Sequence, residues 1–277
     1  MDNSIIELYP NSGRIHPLKN LYLNQLANLP KKLAGQPFIY SNFIASLDGR
    51  IALPGSGRKT LQVPSAIANA RDWRLFQELA AQADLLITTA RFFRQADSQE
   101  AQAGLPVGRS SDFADLRDWR VKQGLKPQPD IAIFSASLDI PPASLNHYSD
   151  RQLYLITGKD ADKERLEQLS THCDIKVIYS GDGEQVNAGN LRAQLGTLGY
   201  QRVYAIAGPA VLHALATANA LDRLYHTTAH CLLGGTEFDT FVRGKQLLPA
   251  LQLPLRALYL DRSSPSGCGQ TLAVYGD

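Results

Sequence analysis

Several features that mark specialised proteins are scarce in this sequence. Cysteine occurs three times in 277 residues, at Cys173, Cys231 and Cys268, far apart and in no Cys-x-x-Cys pair. That excludes a disulfide framework or a zinc knuckle and fits a reducing, cytoplasmic compartment. No run approaches the roughly 18 apolar residues of a membrane span. The opening MDNSIIELYPNSGR has no basic stretch followed by an apolar core, so no secretory leader is expected. Excess charge of one sign is also missing. With 28 Lys+Arg against 26 Asp+Glu, a formal charge of +2 makes no electrostatic case for nucleic acid or an anionic membrane.

Familiar motifs are absent as well. There is no Gly-x-Gly-x-x-Gly, so the usual dinucleotide fingerprint is missing. The basic loop around Arg58 and Lys59 has no glycine directly before the lysine and is not a phosphate loop of the Gly-Lys-Ser/Thr kind. It reads as a mobile loop whose two cations could close over an anionic ligand. No Gly-x-Ser-x-Gly supplies a nucleophile elbow. His226 and His230 sit in a strand-like run with no nearby carboxylate, so no metal site is expected.

What remains is a globular composition, 44% hydrophobic and 19% charged, with ample length for a sizeable core. Residues 1–36 are polar and broken by Pro and Gly, and read as an irregular extension packed on the main body. Leu18, Leu21, Leu26 and Leu29 could line one short helix there. From residue 37 onward, branched and aromatic runs alternate with helical patterns. Strands are expected at 38–47, 84–89, 131–135, 153–157, 176–179, 203–207, 224–233 and 272–275. A helix capped by Ser65 should run to about Ala83, burying Ile67, Ala70, Trp73, Phe76, Leu79 and Ala83. Further helices are expected at 161–169, 190–198 and 211–220, and residues 97–130 read as a long polar excursion. Alternating strands and helices imply an α/β fold with a mainly parallel sheet.

Two places carry chemistry. In the strand at 38–47 the pleat puts Asn42, Ile44, Ser46 and Asp48 on one face, polar towards the C-terminal end, where open α/β sheets bind ligands. Ser46 and Asp48 are orienting candidates. Asp48 also suits an Asp-Gly turn that bonds its own backbone, and both readings stay open. Later, Val203–Ala207 runs into Gly208 and Pro209, a strand-to-helix turn whose free N–H groups suit a phosphate. An ordinary turn reads the same way.

Together these segments resemble a known family. Asn42-Phe-Ile-Ala-Ser-Leu-Asp-Gly-Arg-Ile-Ala52 is similar to the opening ASLDGR-A block of the reductase domain of bifunctional riboflavin-biosynthesis proteins, the RibD C-terminal type. Ala83–Ile87, Ala207-Gly208-Pro209, Leu221–Leu224 and Leu232–Gly235 resemble its later blocks, in order. The resemblance covers about residues 37–277 and implies a dihydrofolate-reductase-like three-layer α/β/α fold with a mixed, mainly parallel sheet. It implies a homodimer that uses NADPH to reduce a ribosylamino-pyrimidine phosphate. No deaminase segment resembling the family's other half is seen, so the chain reads as a stand-alone member.

Carried over residue by residue, Ile44 and Ala45 would face the nicotinamide, and Gly208, Pro209, Ala210, Val211 and Leu212 would hold the pyrophosphate. Thr88, Thr89, Arg91, Phe92 and Arg94 lie in the cofactor loop, where the two arginines suit a 2′-phosphate. Ser135 falls where the family has a cofactor-contacting serine. Asn42, Arg58, Lys59, Arg74 and Ile206 form the substrate side. Phe92 stands where the family has Thr, and Ile206 where it has a substrate Glu. Those departures leave two other readings open: a non-catalytic nucleotide-binding homologue, and a reductase of a less polar acceptor.

Overall fold

A computed structural model describes residues 4–26, 35–55, 60–98, 104–183, 186–263 and 267–277. In chain order the strands and helices are β1 (Ser4–Tyr9), β2 (Ile15–Pro17), β3 (Phe38–Ser46), β4 (Leu53–Pro54), β5 (Leu61–Gln62), α1 (Ala70–Gln82), β6 (Leu85–Thr89), α2 (Ala90–Asp97), α3 (Ala114–Lys122), β7 (Asp130–Phe134) and α4 (Pro142–Leu145). There follow β8 (Leu153–Thr157), α5 (Lys163–His172), β9 (Ile175–Tyr179), α6 (Leu191–Thr197), β10 (Arg202–Ala205), α7 (Pro209–Thr217), β11 (Arg223–Ala229), β12 (Leu255–Asp261) and β13 (Gln270–Gly276).

Eleven strands form one sheet in the order β2-β1-β12-β13-β11-β3-β10-β6-β7-β8-β9. From β11 to β9 every neighbouring pair is parallel. From β11 to β2 every pair is antiparallel. β7 and β8 are buried along their whole length and read as continuous apolar runs because both faces of the sheet are covered. Leu75, Leu79 and Ala80 of α1 and Leu116 of α3 pack on one face, against Tyr40, Leu86, Tyr204 and Tyr225. Leu191 and Leu195 of α6, with Val211, Leu212 and Leu215 of α7, cover the other, against Ile39, Leu85, Ile87 and Val203. The expected α/β/α layering with a mixed, mainly parallel sheet is observed.

Local expectations fare unevenly. Residues 4–17 are not irregular: β1 and β2 extend the sheet, with Ile6 opposite Leu260. The leucines at 18–26 make turns rather than a helix, although Leu18 and Leu26 are buried; Leu29 lies outside the described residues. α1 is capped by Asn69, whose side chain takes the N–H groups of Arg71 and Asp72, and not by Ser65. Its buried face is Leu75, Gln77–Ala81 and Gln82, which leaves Trp73 and Phe76 half-open. The 97–130 excursion contains α3, and β12 went unread in the sequence.

Candidate active site

The largest change of environment along β3 comes at its C-terminal half. There the sheet opens into a cleft of about 790 Å3 between α1, α2, the start of α7 and the β4–β5 ribbon. Its floor and walls are Asn42, Phe43 and Ile44 of β3, Trp73 and Phe76 of α1, and Ile206 and Ala207 after β10. Leu61 and Gln62 of β5 close one side. The cleft lies outside the carboxyl ends of parallel strands, where the backbone N–H groups of following helices face a ligand.

The apolar wall is ordered by aromatic stacking. Trp73 and Phe76 lie parallel with ring centroids 4.8 Å apart, and Phe76 leans on Tyr204 at 5.7 Å. The Tyr204 hydroxyl donates to Asn42 Oδ1, fixing the amide. Opposite, Asp239 is tied into the chain by backbone bonds to Ile51 and Ala52. Its carboxylate meets Arg243 at 3.0 Å and Arg91 at 4.0 Å. Arg91 also donates to the Leu61 carbonyl at 3.2 Å and stays half-exposed at the rim.

Of the residues expected from sequence, Asn42, Ile44, Thr88, Thr89, Arg91, Phe92, Ile206, Gly208 and Pro209 line this one cleft. Gly208 is exposed, and a Cβ added there meets no atom within 4 Å, so the approach to the α7 N-terminus is open. Val211 and Leu212 bury their side chains in the core, so only their backbone is available to a ligand.

Other candidates are drawn elsewhere. Ala45 is fully buried against Ile51 and Ala52 and does not face the cleft. Asp48 does not stand at the mouth. Its carboxylate takes the Ser46 hydroxyl and the N–H groups of Gly234, at 2.7 Å, and Leu233, at 3.3 Å. The Ser46 hydroxyl and these amides hold its pKa down at about 2. The pair therefore ties the β3 turn to the Gly234–Gly235 loop. Arg74 is taken up by Glu78 at 2.9 Å and by Asp115 at 2.7 Å. Arg94 donates to the Asp139 carbonyl at 2.7 Å. The Ser135 hydroxyl accepts from the Leu138 N–H at 2.9 Å, closing a turn. Ala210 is exposed on the first turn of α7 but is not part of the cleft lining. Arg58 and Lys59 lie outside the described residues.

Among the described residues no three His, Cys, Asp or Glu side chains gather as a metal site. His226 packs its ring on Phe241, and His230 bonds the Cys268 carbonyl and Thr271. No helix among the described residues is long and apolar enough to cross a membrane.

Several lining residues were not site candidates in the sequence, among them Trp73, Phe76, Asp239 and Asp72. Asp72, in the first turn of α1, accepts the Thr227 hydroxyl at 2.6 Å and faces the cavity. Burial pushes its pKa up to about 6, against the pull of that hydroxyl. The only local signal was its place three residues after the Asn69 cap.

Comparison with known proteins agrees with this architecture. A pyrimidine reductase-like protein from Corynebacterium diphtheriae superposes with a TM-score of 0.65 at 18% identity, over 94% of this chain and 98% of that one. The riboflavin biosynthesis reductase of Saccharomyces cerevisiae gives 0.55 at 13% identity, over 94% and 96%. The RibD protein of Acinetobacter baumannii gives 0.56 at 15%, over 87% of this chain and 58% of that one. At such identities these likenesses establish the fold. No curated protein matches the chain. The sequence profile of the RibD C-terminal domain matches residues 37–263, from the start of the β3 region to just past β12, and on that match the chain belongs to the RibD C-terminal domain family.

Proposed function

We propose that this protein is a nicotinamide-dependent reductase of a small-molecule acceptor, of the riboflavin-pathway pyrimidine reductase kind. The observation that carries the reading is the cleft itself, which lies within the RibD C-terminal match and joins an apolar floor to an open helix N-terminus. The residues present fit a dinucleotide. The first turn of α7 has Gly208 clear of any neighbour and Pro209 at the first helical position, so N–H groups and the positive helix end can meet a pyrophosphate. Ile44 gives a flat apolar surface for a nicotinamide ring, and Thr88 and Thr89 offer hydroxyls beside it. Arg91 is the cation placed for a 2′-phosphate, which favours NADPH over NADH.

A reduced nicotinamide supplies hydride when bound. The chain's part is to hold donor and acceptor face to face and to keep water out, a proximity effect. Trp73 and Phe76 would stack on a planar acceptor, and Ile206 would press on its edge. Because Ile206 stands at the cleft wall, a less polar acceptor than the family's pyrimidine phosphate also fits. A homodimer in the cytoplasm belongs to the same reading.

Titration of the purified protein with NADPH and, separately, NADH, followed by nucleotide fluorescence, tests it. Saturable binding that favours NADPH is expected. Binding of neither would remove the reductase reading and leave the fold reused for another ligand.

A further inference from the structure

The cysteines are far apart in sequence, yet the sheet brings two of them together. β11 and β13 pair in antiparallel register from Arg223 opposite Gly276 to Ala229 opposite Gln270. One more backbone bond extends the ladder, from the His230 N–H to the Gly269 carbonyl at 3.2 Å. The same register then sets Cys231 opposite Cys268. Because the His230–Gly269 step is bonded, the cysteine step is a non-bonded one, where ladder geometry brings Cα atoms about 4.5 Å apart. A disulfide spans Cα separations of about 4.4–6.8 Å.

The chain bends at this point, as the Cys231 N–H turns back to the Ala229 carbonyl at 2.8 Å, but the two strand ends stay clamped. His230 bonds the Cys268 carbonyl at 3.1 Å and the Thr271 hydroxyl at 2.7 Å. Burial, the Asp48 carboxylate and Cys268 together push the Cys231 thiol up, so the two sulfurs lie within reach of each other's charge. Both thiols are free, and their exposure differs. Cys268 is exposed on a turn between Gly267 and Gly269, whose φ values of 71° and 85° favour glycine. Cys231 is half-buried, and its carbonyl takes the Leu47 N–H at 2.9 Å. It opens the loop whose Leu233 and Gly234 amides hold Asp48. The third thiol, Cys173, lies at the end of α5 beside the β9 edge of the sheet, where it donates to the Leu169 carbonyl. Neither Cys231 nor Cys268 lines the cleft.

We propose that Cys231 and Cys268 form a reversible dithiol–disulfide site that reacts with low-molecular-weight disulfides such as glutathione disulfide. The exposed Cys268 is the entry point. Its thiolate attacks one sulfur of glutathione disulfide. A Cys268–glutathione bond forms, the glutathione S–S bond breaks, and one glutathione leaves as thiolate and takes up the proton that Cys268 gave up. The Cys231 thiolate then attacks Cys268 Sγ. The Cys231–Cys268 bond forms, and the second glutathione leaves in the same way. Two protein thiols are oxidised, and one glutathione disulfide is reduced to two glutathiones. The product fastens the start of the loop that holds Asp48 to the end of β13. A reducing compartment keeps such a pair open, and it closes only when the disulfide pool rises.

The reduced, full-length protein, freed of reductant, is incubated with excess glutathione disulfide at about pH 8. Free thiols, counted after denaturation, should fall from three to one. The mass should drop by about 2 Da with no glutathione retained, and digestion should yield a linked peptide joining Cys231 to Cys268. The melting temperature should rise by about 5 °C or more and return when dithiothreitol is added. Cys173→Ser should form the same link. Cys231→Ser should retain one glutathione at Cys268, and Cys268→Ser should slow the reaction of Cys231 by about tenfold or more. Three thiols remaining, separate glutathiones on Cys231 and Cys268, covalent dimers in place of the internal bond, or a link without a rise in melting temperature would each overturn the site.

Discussion

Helix α1 carries two acidic residues six positions apart, one in its first turn and one in its second half, and their surroundings are opposite. Glu78 is fully buried and saturated. It accepts the backbone N–H groups of Asn20, Tyr22 and Leu23 at 2.6, 3.1 and 3.3 Å and the Arg74 guanidinium at 2.9 Å. Asp72 faces a cavity with one hydroxyl for company. One carboxylate stitches the N-terminal turns to the body of the protein; the other is held short of partners. Burial alone does not mark a functional acid. Unfilled hydrogen-bonding capacity is what separates the two, because the carboxylate of Glu78 has already been satisfied by its own chain.

The comparison breaks most violently at the saturated end. Glu78→Ala strands three backbone donors and an arginine, and should destabilise the protein by about 3–5 kcal/mol, read by urea unfolding. Hydrogen exchange should rise first at residues 20–26. A loss under about 1 kcal/mol would mean the turns are held mainly by Leu18, Tyr22 and Leu26 in the core. Next comes the opposite wall. Gly208→Val puts two methyls where nothing now stands and should weaken NADPH binding by about tenfold or more with little change in melting temperature. Unchanged affinity would place the pyrophosphate elsewhere.

The unsaturated end should respond in the reverse sense to Glu78. The folded pKa of Asp72, about 6, lies above its ordinary 3.8, so the native state binds the extra proton between those values. Stability on this account is greatest below pH 3.8 and declines as pH rises to about 6, where the full penalty is present. Asp72→Asn should therefore stabilise the protein at about pH 8 by about 1–3 kcal/mol relative to its effect at about pH 4. Melting curves of both proteins at the two pH values check it, and a difference independent of pH would show that Asp72 is solvated like a surface carboxylate. The smallest effect belongs to Thr227→Val. Removing the one donor should move the midpoint of the pH dependence of stability upward by about half a unit to one unit, read from melting curves.

The parallel half of the sheet was legible because its strands are short apolar runs bounded by breakers, as in Leu85–Thr89 and Leu153–Thr157. α3 was not, because its side chains are mostly polar and its buried members include Arg120. That guanidinium donates to the carbonyls of Ala81, at 2.9 Å, and Ala83, at 2.5 Å, capping the end of α1 from another element. No local pattern announces such a contact. β12 was missed because only Ala257, Tyr259 and Asp261 of its seven residues are buried. In the cleft, motif order located β3, the 88–92 segment and the Gly208 turn. It could not locate Asp72, whose partner lies 155 residues away on β11.

The order of strands in the sheet sets a timetable for the chain as it leaves the ribosome. β6, β7, β8 and β9 are neighbours in sequence and in space, so each can join the one before it as it emerges. β3 cannot. It lies between β10 and β11, and must wait for more than half of the chain behind it. β1 can pair at once with β2 but waits longer still to join the sheet, because β12 begins at Leu255. Both strands are thus among the last to find their places in the sheet, and a nascent chain carries the β1–β2 hairpin undocked and the apolar β3 unpaired while β6 to β9 are already together. Such a topology folds slowly and late, with two ready-made sticky strands exposed in the interval.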